Sequence, residues 1–381
     1  MEVVYVMVFG IAIFGASFVK FKILGIPLLY ISLLILFFQY LAYFKNNKGT
    51  IHLDKGRKLL CQFVIWSLLF VLISLVGLNT RWIDDTLYYS RGYIPRQSYY
   101  LFILPAAILF KKDERIESLI KKYGFWIFIF IYIARVVYIR NLAIGVSCIF
   151  VLSWLSLKFF RNISILKKII ILSIIVLSPI GVGGEITNVI FRLIFIYSLF
   201  RKQTNFRKNA LRKLFLIGAI VLLVFPLTYD RLAPNLDANS SWRMRYWMDE
   251  IVQVCNTKFV GVGYGTSYAS TNFVGTVGTI VGGPFGATDE YSTIDKLFVT
   301  GPHNSFISIF FRLGIIGYWL FVRYIYNNLA PNNIDCKAKM FVAYAAIVLI
   351  MVNVGLESPH YLYLFVFAMG NLMEKRAICR R

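Results

Sequence analysis

Two short stretches of the sequence carry side chains suited to an anionic, hydroxyl-bearing substrate. The first is Ser240-Ser241-Trp242-Arg243-Met244-Arg245-Tyr246-Trp247-Met248-Asp249-Glu250-Ile251-Val252. Ser240 or Ser241 can cap it, and the residues that follow predict a helix. Arg243, Trp247 and Glu250 then share one face at spacings of four and three. A guanidinium presents a planar fork of donors that matches a phosphate. Arg245 points elsewhere, four residues before Asp249, where an exposed ion pair worth under about 1 kcal/mol is the plainer reading.

The second stretch is Pro302-His303-Asn304-Ser305-Phe306, followed by Gly314-Ile315-Ile316-Gly317. A neutral imidazole at His303 can accept a proton from a substrate hydroxyl near pH 7. For a lone histidine at a helix entrance, a capping or interfacial role is the competing account. Gly314 and Gly317 are expected to let another helix approach closely.

Other arginines are read by position. Arg192 falls inside an apolar stretch, where a charge needs a partner or a polar cavity. A phosphate contact is the functional reading, and Glu185 is the alternative structural partner. Arg135 and Arg312 read as structural or lipid-facing side chains. Arg81, Arg91 and Arg96 form an outer basic rim with Asp84 and Asp85, or simply a solvated loop.

Gly261-Val262-Gly263-Tyr264-Gly265 opens a glycine-rich run. No Gly-Lys-Ser/Thr follows, so it is not a phosphate loop. It reads as flexible connection with tight turns, or as a mobile lid. No Asp-x-Asp occurs and no histidine cluster has metal-ligand spacing. Cys61, Cys148, Cys255, Cys336 and Cys379 suggest neither a metal site nor a disulfide framework. Neither a metal nor another cofactor is implied.

The elements that hold these residues are written in the composition. Of 381 residues, 59% are hydrophobic and 15% charged, and the mean hydropathy is +0.68. Twelve apolar stretches recur, near 3–19, 23–44, 59–78, 98–110, 125–139, 142–160, 169–184, 188–200, 214–229, 305–326, 340–356 and 361–373. The expectation is an all-α, polytopic transmembrane helix bundle. The stretches near 98–110, 125–139 and 188–200 are short for a bilayer. No Ala-x-Ala cleavage signature follows the first stretch, which reads as a retained helix.

The net charge of +23 does not point to nucleic acid, because the positive residues punctuate apolar stretches instead of covering one soluble face. Placing both termini in the cytoplasm puts 27 of the 41 lysines and arginines in cytoplasmic loops, as the positive-inside rule requires. Lys20 and Lys22, in the first outward turn, go against it.

Three regions follow: 1–229 with nine spans, a large outward loop 230–304, and 305–381 with three spans. The loop holds Trp242, Tyr246, Trp247, Phe259, Tyr264, Tyr268 and Phe273. That composition is too aromatic for a disordered tether. Residues 79–97 form a second long outward segment. No internal repeat is visible, nor the paired Gly/Pro-broken helices that mark a transporter's midplane site.

His303, Asn304, nine residues, Gly314, two residues and Gly317, preceded by Arg243 to Trp247 and Gly261-Val262-Gly263 in the same order, resemble the O-antigen ligase and O-antigen polymerase families. The likeness covers roughly residues 185–320. In one place the chain departs from it, having Glu185-Ile186-Thr187-Asn188 where the families often show Ser-Arg, with its arginine later, at Arg192.

The resemblance implies a glycosyltransferase C-like bundle with a large, partly helical periplasmic loop. It also implies a polysaccharide polymerase at the bacterial inner membrane, with its active site facing the periplasm. The donor is a glycan on undecaprenyl diphosphate, and the acceptor is a lipid-linked repeat unit. Arg243, Arg192 and Arg245 are then expected at the diphosphate, where they stabilise the leaving charge, and His303 at the acceptor hydroxyl. Asn304, Glu250, Arg81 and Arg91 form a second tier. Membrane lipid and a chain-length regulator are the implied partners. Ligation of the glycan to a lipid A core is the nearest alternative, and a lipid-linked oligosaccharide flippase or other transporter is the more distant one.

Overall fold

The computed structural model describes residues 2–46, 54–109, 114–180, 185–200, 210–228, 231, 238–273, 293–299, 301, 304–330, 334, 336–351 and 355–373. Within them the chain is all-α apart from one two-residue hairpin. It begins with α1 (Glu2–Phe14) and α2 (Ser17–Lys20), then β1 (Lys22–Ile23) paired antiparallel with β2 (Ile26–Pro27). Next come α3 (Leu28–Asn46), α4 (Lys55–Leu75), α5 (Ile94–Ser98), α6 (Tyr100–Ile103) and α7 (Glu114–Ile139). They are followed by α8 (Val146–Phe159), α9 (Ile165–Leu177), α10 (Glu185–Phe200) and α11 (Ala210–Val224). The chain continues with α12 (Ala238–Asn256), α13 (Thr293–Val299), α14 (Ser305–Asn328), α15 (Lys337–Met351) and α16 (Pro359–Met373).

Helix falls on each of the twelve apolar stretches. Five segments, Leu28–Asn46, Lys55–Leu75, Arg115–Ile139, Leu211–Thr228 and Ser305–Asn328, are long and apolar enough to cross a membrane. The stretch 125–139, short in the sequence, is the end of a 26-residue helix. Arg115, Lys121 and Lys122 are good helix formers and extend it backward. Around 94–109 the chain instead breaks into α5, α6 and a 3-10 turn, Leu104–Leu109. Pro105 has no amide to donate, so a continuous α-helix cannot run through it.

Packing follows the distribution of apolar residues around each helix. α15 and α16 are apolar on nearly every side and are buried on nearly every side, as is α8. α3 and α9 keep only a few residues buried. Aromatic contacts knit the centre together: Phe367 of α16 meets Trp154 of α8 edge-on at 4.7 Å, and Phe321 of α14 lies 5.2 Å from Phe63 of α4.

Residues 86–97 and 265–271, from the two long segments that the sequence reading places outside, are joined to each other. Ser90 N donates to Gly265 O, Ser267 N to Tyr88 O and Thr271 N to Thr86 O, at 2.7–2.9 Å. Gln97 seals the junction, accepting from Gly265 N at 2.8 Å and donating to Thr266 O and Phe298 O.

Candidate functional site

The site is organised by a kink. Inside α14, Gly314 has φ +64°, a conformation that favours glycine. The kink frees carbonyls that a straight helix would satisfy, and each needs a new partner. Phe311 O accepts from Val262 N at 2.9 Å, and Arg312 O from Gly263 N at 3.0 Å. Leu313 O accepts from Trp66 Nε1 of α4 at 3.2 Å, and Ile315 N donates to Phe259 O at 3.0 Å. Gly261, with φ +95°, makes the approach possible: a Cβ there would lie 2.4 Å from Gly314 N.

Two sequence expectations are corrected by this arrangement. Gly314 admits the backbone of the loop, not another helix; Gly317 does face one, with Trp66 of α4 beside it. The stretch 261–270 is buried throughout and hydrogen-bonded, so it is a seated turn, neither flexible connection nor lid. Its continuation, 274–292, lies outside the described residues.

Arg312 takes the structural one of its two readings. It is 3% exposed, not lipid-facing. Its Nη1 donates to Gly263 O at 3.0 Å and Thr266 O at 2.8 Å, and its guanidinium lies 4.0 Å from the Tyr268 ring centroid. A charge on the apolar helix is thus held by the turn that the kink recruits.

Glu250, on α12, is fully buried, and neither carboxylate oxygen has a hydrogen-bond partner among the described residues. Burial pushes its carboxyl well above the usual range, and the charge of Arg312 opposes that shift. Asp249 beside it accepts from Ser270 N at 3.0 Å and from Ser270 Oγ at 2.7 Å. The predicted helix around them is real and longer than its motif, running from Ala238 to Asn256. Ser240 and Ser241, its expected caps, fall inside the helix because it starts earlier, at Ala238.

A second feature opens beside this core. A cavity of about 800 Å³ lies between the N-terminal hairpin region, the 92–99 segment, α13 and the start of α16. Lys20, Lys22 and Arg96 are its cations, and Glu357, His360, Tyr30, Tyr99 and Tyr268 its other titratable wall groups. Leu29, Tyr30 and Leu33 of α3 line the side on which Tyr30 is 61% exposed.

Glu357 is held from the His303 motif. Ser305 Oγ donates to Glu357 Oε2 at 3.0 Å and accepts from Leu356 N at 3.0 Å. Gly301 lies against the Glu357 side chain, where an added Cβ would meet Cγ at 3.3 Å. Burial pushes the Glu357 carboxyl up, while the nearby hydroxyls of Ser308 and Ser305 hold it back. Glu357 and Arg312 also line a void of about 10 Å³, roughly the room for one water.

The predicted residues are distributed unevenly over these features. Asn304 caps α14, its Oδ1 accepting from Phe306 N and Ile307 N. His303 and Pro302 lie outside the described residues; Gly301 and Ser305 on either side border Glu357. Arg243 and Arg245 are half-buried on α12 and do not belong to the cavity wall. Arg81 and Arg91 are exposed.

Arg192 is engaged elsewhere. It donates to Asn188 Oδ1 and to the carbonyls of Val176 and Ser178, tying α10 to the end of α9. The side chain of Glu185, its proposed alternative partner, lies outside the described residues. Arg135 is structural, donating to Ile13 O at 3.0 Å.

Sequence patterns do not single out Glu357 or His360. Two ionisable residues between the last two apolar stretches were the available signal. For the cavity rim, the signal was the violation of charge asymmetry by Lys20 and Lys22. Comparison of the chain with protein-family models, curated proteins and solved structures finds no match.

Proposed function

We propose that this chain is a polysaccharide polymerase of the O-antigen polymerase kind, a bundle of about twelve spans in the bacterial inner membrane. Both termini are cytoplasmic and the 230–304 loop faces the periplasm. One observation carries the reading. Two of the three stretches that resemble the polymerase and ligase families interlock directly, with Gly261 seated on Gly314. The third, the Arg243 helix, turns Glu250 toward the charge of Arg312 in the same kinked helix. Residues far apart in the chain thus form one structural unit.

In this reading the donor is a glycan on undecaprenyl diphosphate. An acceptor hydroxyl attacks its anomeric carbon, the new glycosidic bond forms, and the bond from that carbon to the diphosphate oxygen breaks. The lipid diphosphate leaves with the electron pair, and the hydroxyl proton passes to His303. Arg243, with Arg245, stabilises the charge that grows on the leaving group. Arg192, committed to Asn188 and two carbonyls, is assigned to structure.

The test is loss of the gene, followed by gel analysis of surface polysaccharide. A polymerase leaves single-repeat product, a ligase leaves unligated lipid-linked polymer, and a flippase leaves repeat units on the cytoplasmic face. Either of the last two patterns overturns the proposal. In the complemented strain, His303→Ala should give single-repeat product with normal protein in the membrane.

A further inference from the structure

The wall of the 800 Å³ cavity is chemically divided. Lys20 and Lys22 flank the hairpin, and Arg96 stands on α5. Leu29, Tyr30 and Leu33 continue the wall down α3, a helix apolar enough to cross a membrane. Glu357, Tyr99 and His360 complete it. Three cations, apolar side chains from a helix apolar enough to cross a membrane, and hydrogen-bonding groups in one wall match an amphiphile with an anionic head, an apolar tail and hydroxyls.

The positions of the cations point the same way. An outward turn bearing Lys20 and Lys22 runs against the charge asymmetry of the chain, so their placement asks for a specific anion. Both are exposed. Three such charges beside one cavity attract a diphosphate carried at the membrane surface.

The base of the cavity touches the His303 motif. Glu357 is fixed by Ser305 through Oε2, while Oε1 has no partner among the described residues. Gly301, two residues before His303, lies against the same glutamate. A hydroxyl on an occupant of the cavity therefore comes to the motif that the polymerase reading assigns to the acceptor. Arg243 stands outside the wall.

We propose that this cavity is the acceptor site, and that its ligand is a lipid-linked oligosaccharide diphosphate. Lys20, Lys22 and Arg96 hold the head group, the tail lies along Leu29 and Leu33, and Glu357 accepts a hydrogen bond from a sugar hydroxyl. The donor diphosphate occupies a separate place near Arg243. The word acceptor rests on the polymerase reading; the lipid diphosphate site does not.

The test uses the full chain, purified in detergent, with undecaprenyl diphosphate as probe and native mass spectrometry as readout. The wild type should bind two lipids. The triple variant Lys20→Gln/Lys22→Gln/Arg96→Gln should bind one, as should Arg243→Ala, and the combination none. All three rim residues are exposed, so thermal unfolding of the triple variant should match the wild type. Retention of both lipids by the triple variant overturns the site. Equal displacement by inorganic diphosphate at the same concentration overturns the lipid assignment. A wild type that binds a single lipid, lost in the triple variant, keeps the cavity and overturns the two-substrate polymerase reading.

Discussion

Gly261 and Gly314 pack backbone to backbone: a Cβ on the first would lie 2.4 Å from the amide nitrogen of the second, and a Cβ on the second 2.2 Å from Val260 O. Both have positive φ, so the contact needs glycine twice, for conformation and for space.

Gly261→Ala and Gly314→Ala should therefore each cost more than the roughly 1–3 kcal/mol of positive-φ backbone strain alone. Gly25→Ala is the control, since its φ is +80° but nothing lies within 4 Å of the added atom. Thermal unfolding in detergent should show a clearly larger fall for the first two than for the third. Equal falls would mean that the loop is not seated on the kink.

Arg312→Lys should loosen the turn that the kink holds. It keeps the charge but removes the guanidinium geometry that donates to Gly263 O and Thr266 O. Charge-assisted bonds of this kind contribute about 1.5–3 kcal/mol each. Hydrogen exchange at residues 263–270 should speed up in the variant while α15 and α16 keep their protection. Unchanged exchange in the turn would remove Arg312 from this role.

Glu250 makes stability depend on pH with a definite sign. Its folded carboxyl titrates well above the usual range because it is buried, whereas an unfolded glutamate titrates near about 4.3. The folded state thus binds the proton more tightly. The resulting stabilisation is fully present below the unfolded value and is lost as pH rises through the raised folded value. Glu250→Gln should raise the midpoint of unfolding at pH 8 and narrow the gain that wild type shows at pH 5. Asp249 and Glu357 are shifted upward too, so the difference between wild type and variant is the informative quantity. A constant difference from pH 5 to 8 would contradict the shift.

Much of this was legible in the sequence, and the boundary is physical. Long apolar runs specify helices locally, so among the described residues helix falls on each of the twelve stretches. The face shared by Arg243, Trp247 and Glu250 could be read from spacing, but how deep Glu250 lies could not, because depth depends on which element covers that face. The partners of Arg312 were not legible for a related reason. Its partners are carbonyls of Gly263 and Thr266, some fifty residues away, and they exist only because Gly314 bends the helix. The glycine pattern 261–265 signalled a turn, while its seat on Gly314 is a tertiary fact. Lys20 and Lys22 were visible as exceptions to the expected charge asymmetry, and both line the cavity.

Glu357 separates head-group binding from sugar handling. Glu357→Gln preserves shape and lets Ser305 Oγ still donate to the amide oxygen at the position of Oε2, but puts a donating amide where Oε1 would accept from a hydroxyl. A hydrogen bond to a charged group contributes about 1.5–3 kcal/mol, equivalent to roughly a 10- to 150-fold change. Polymer formed from lipid-linked repeat units should fall by at least about tenfold in this variant, while the number of undecaprenyl diphosphate molecules bound stays at two, because Lys20, Lys22 and Arg96 are untouched. Loss of a bound lipid along with polymer would assign Glu357 to the shape of the cavity. Wild-type polymer would take the carboxylate out of the reaction and leave proton transfer to His303 without its help.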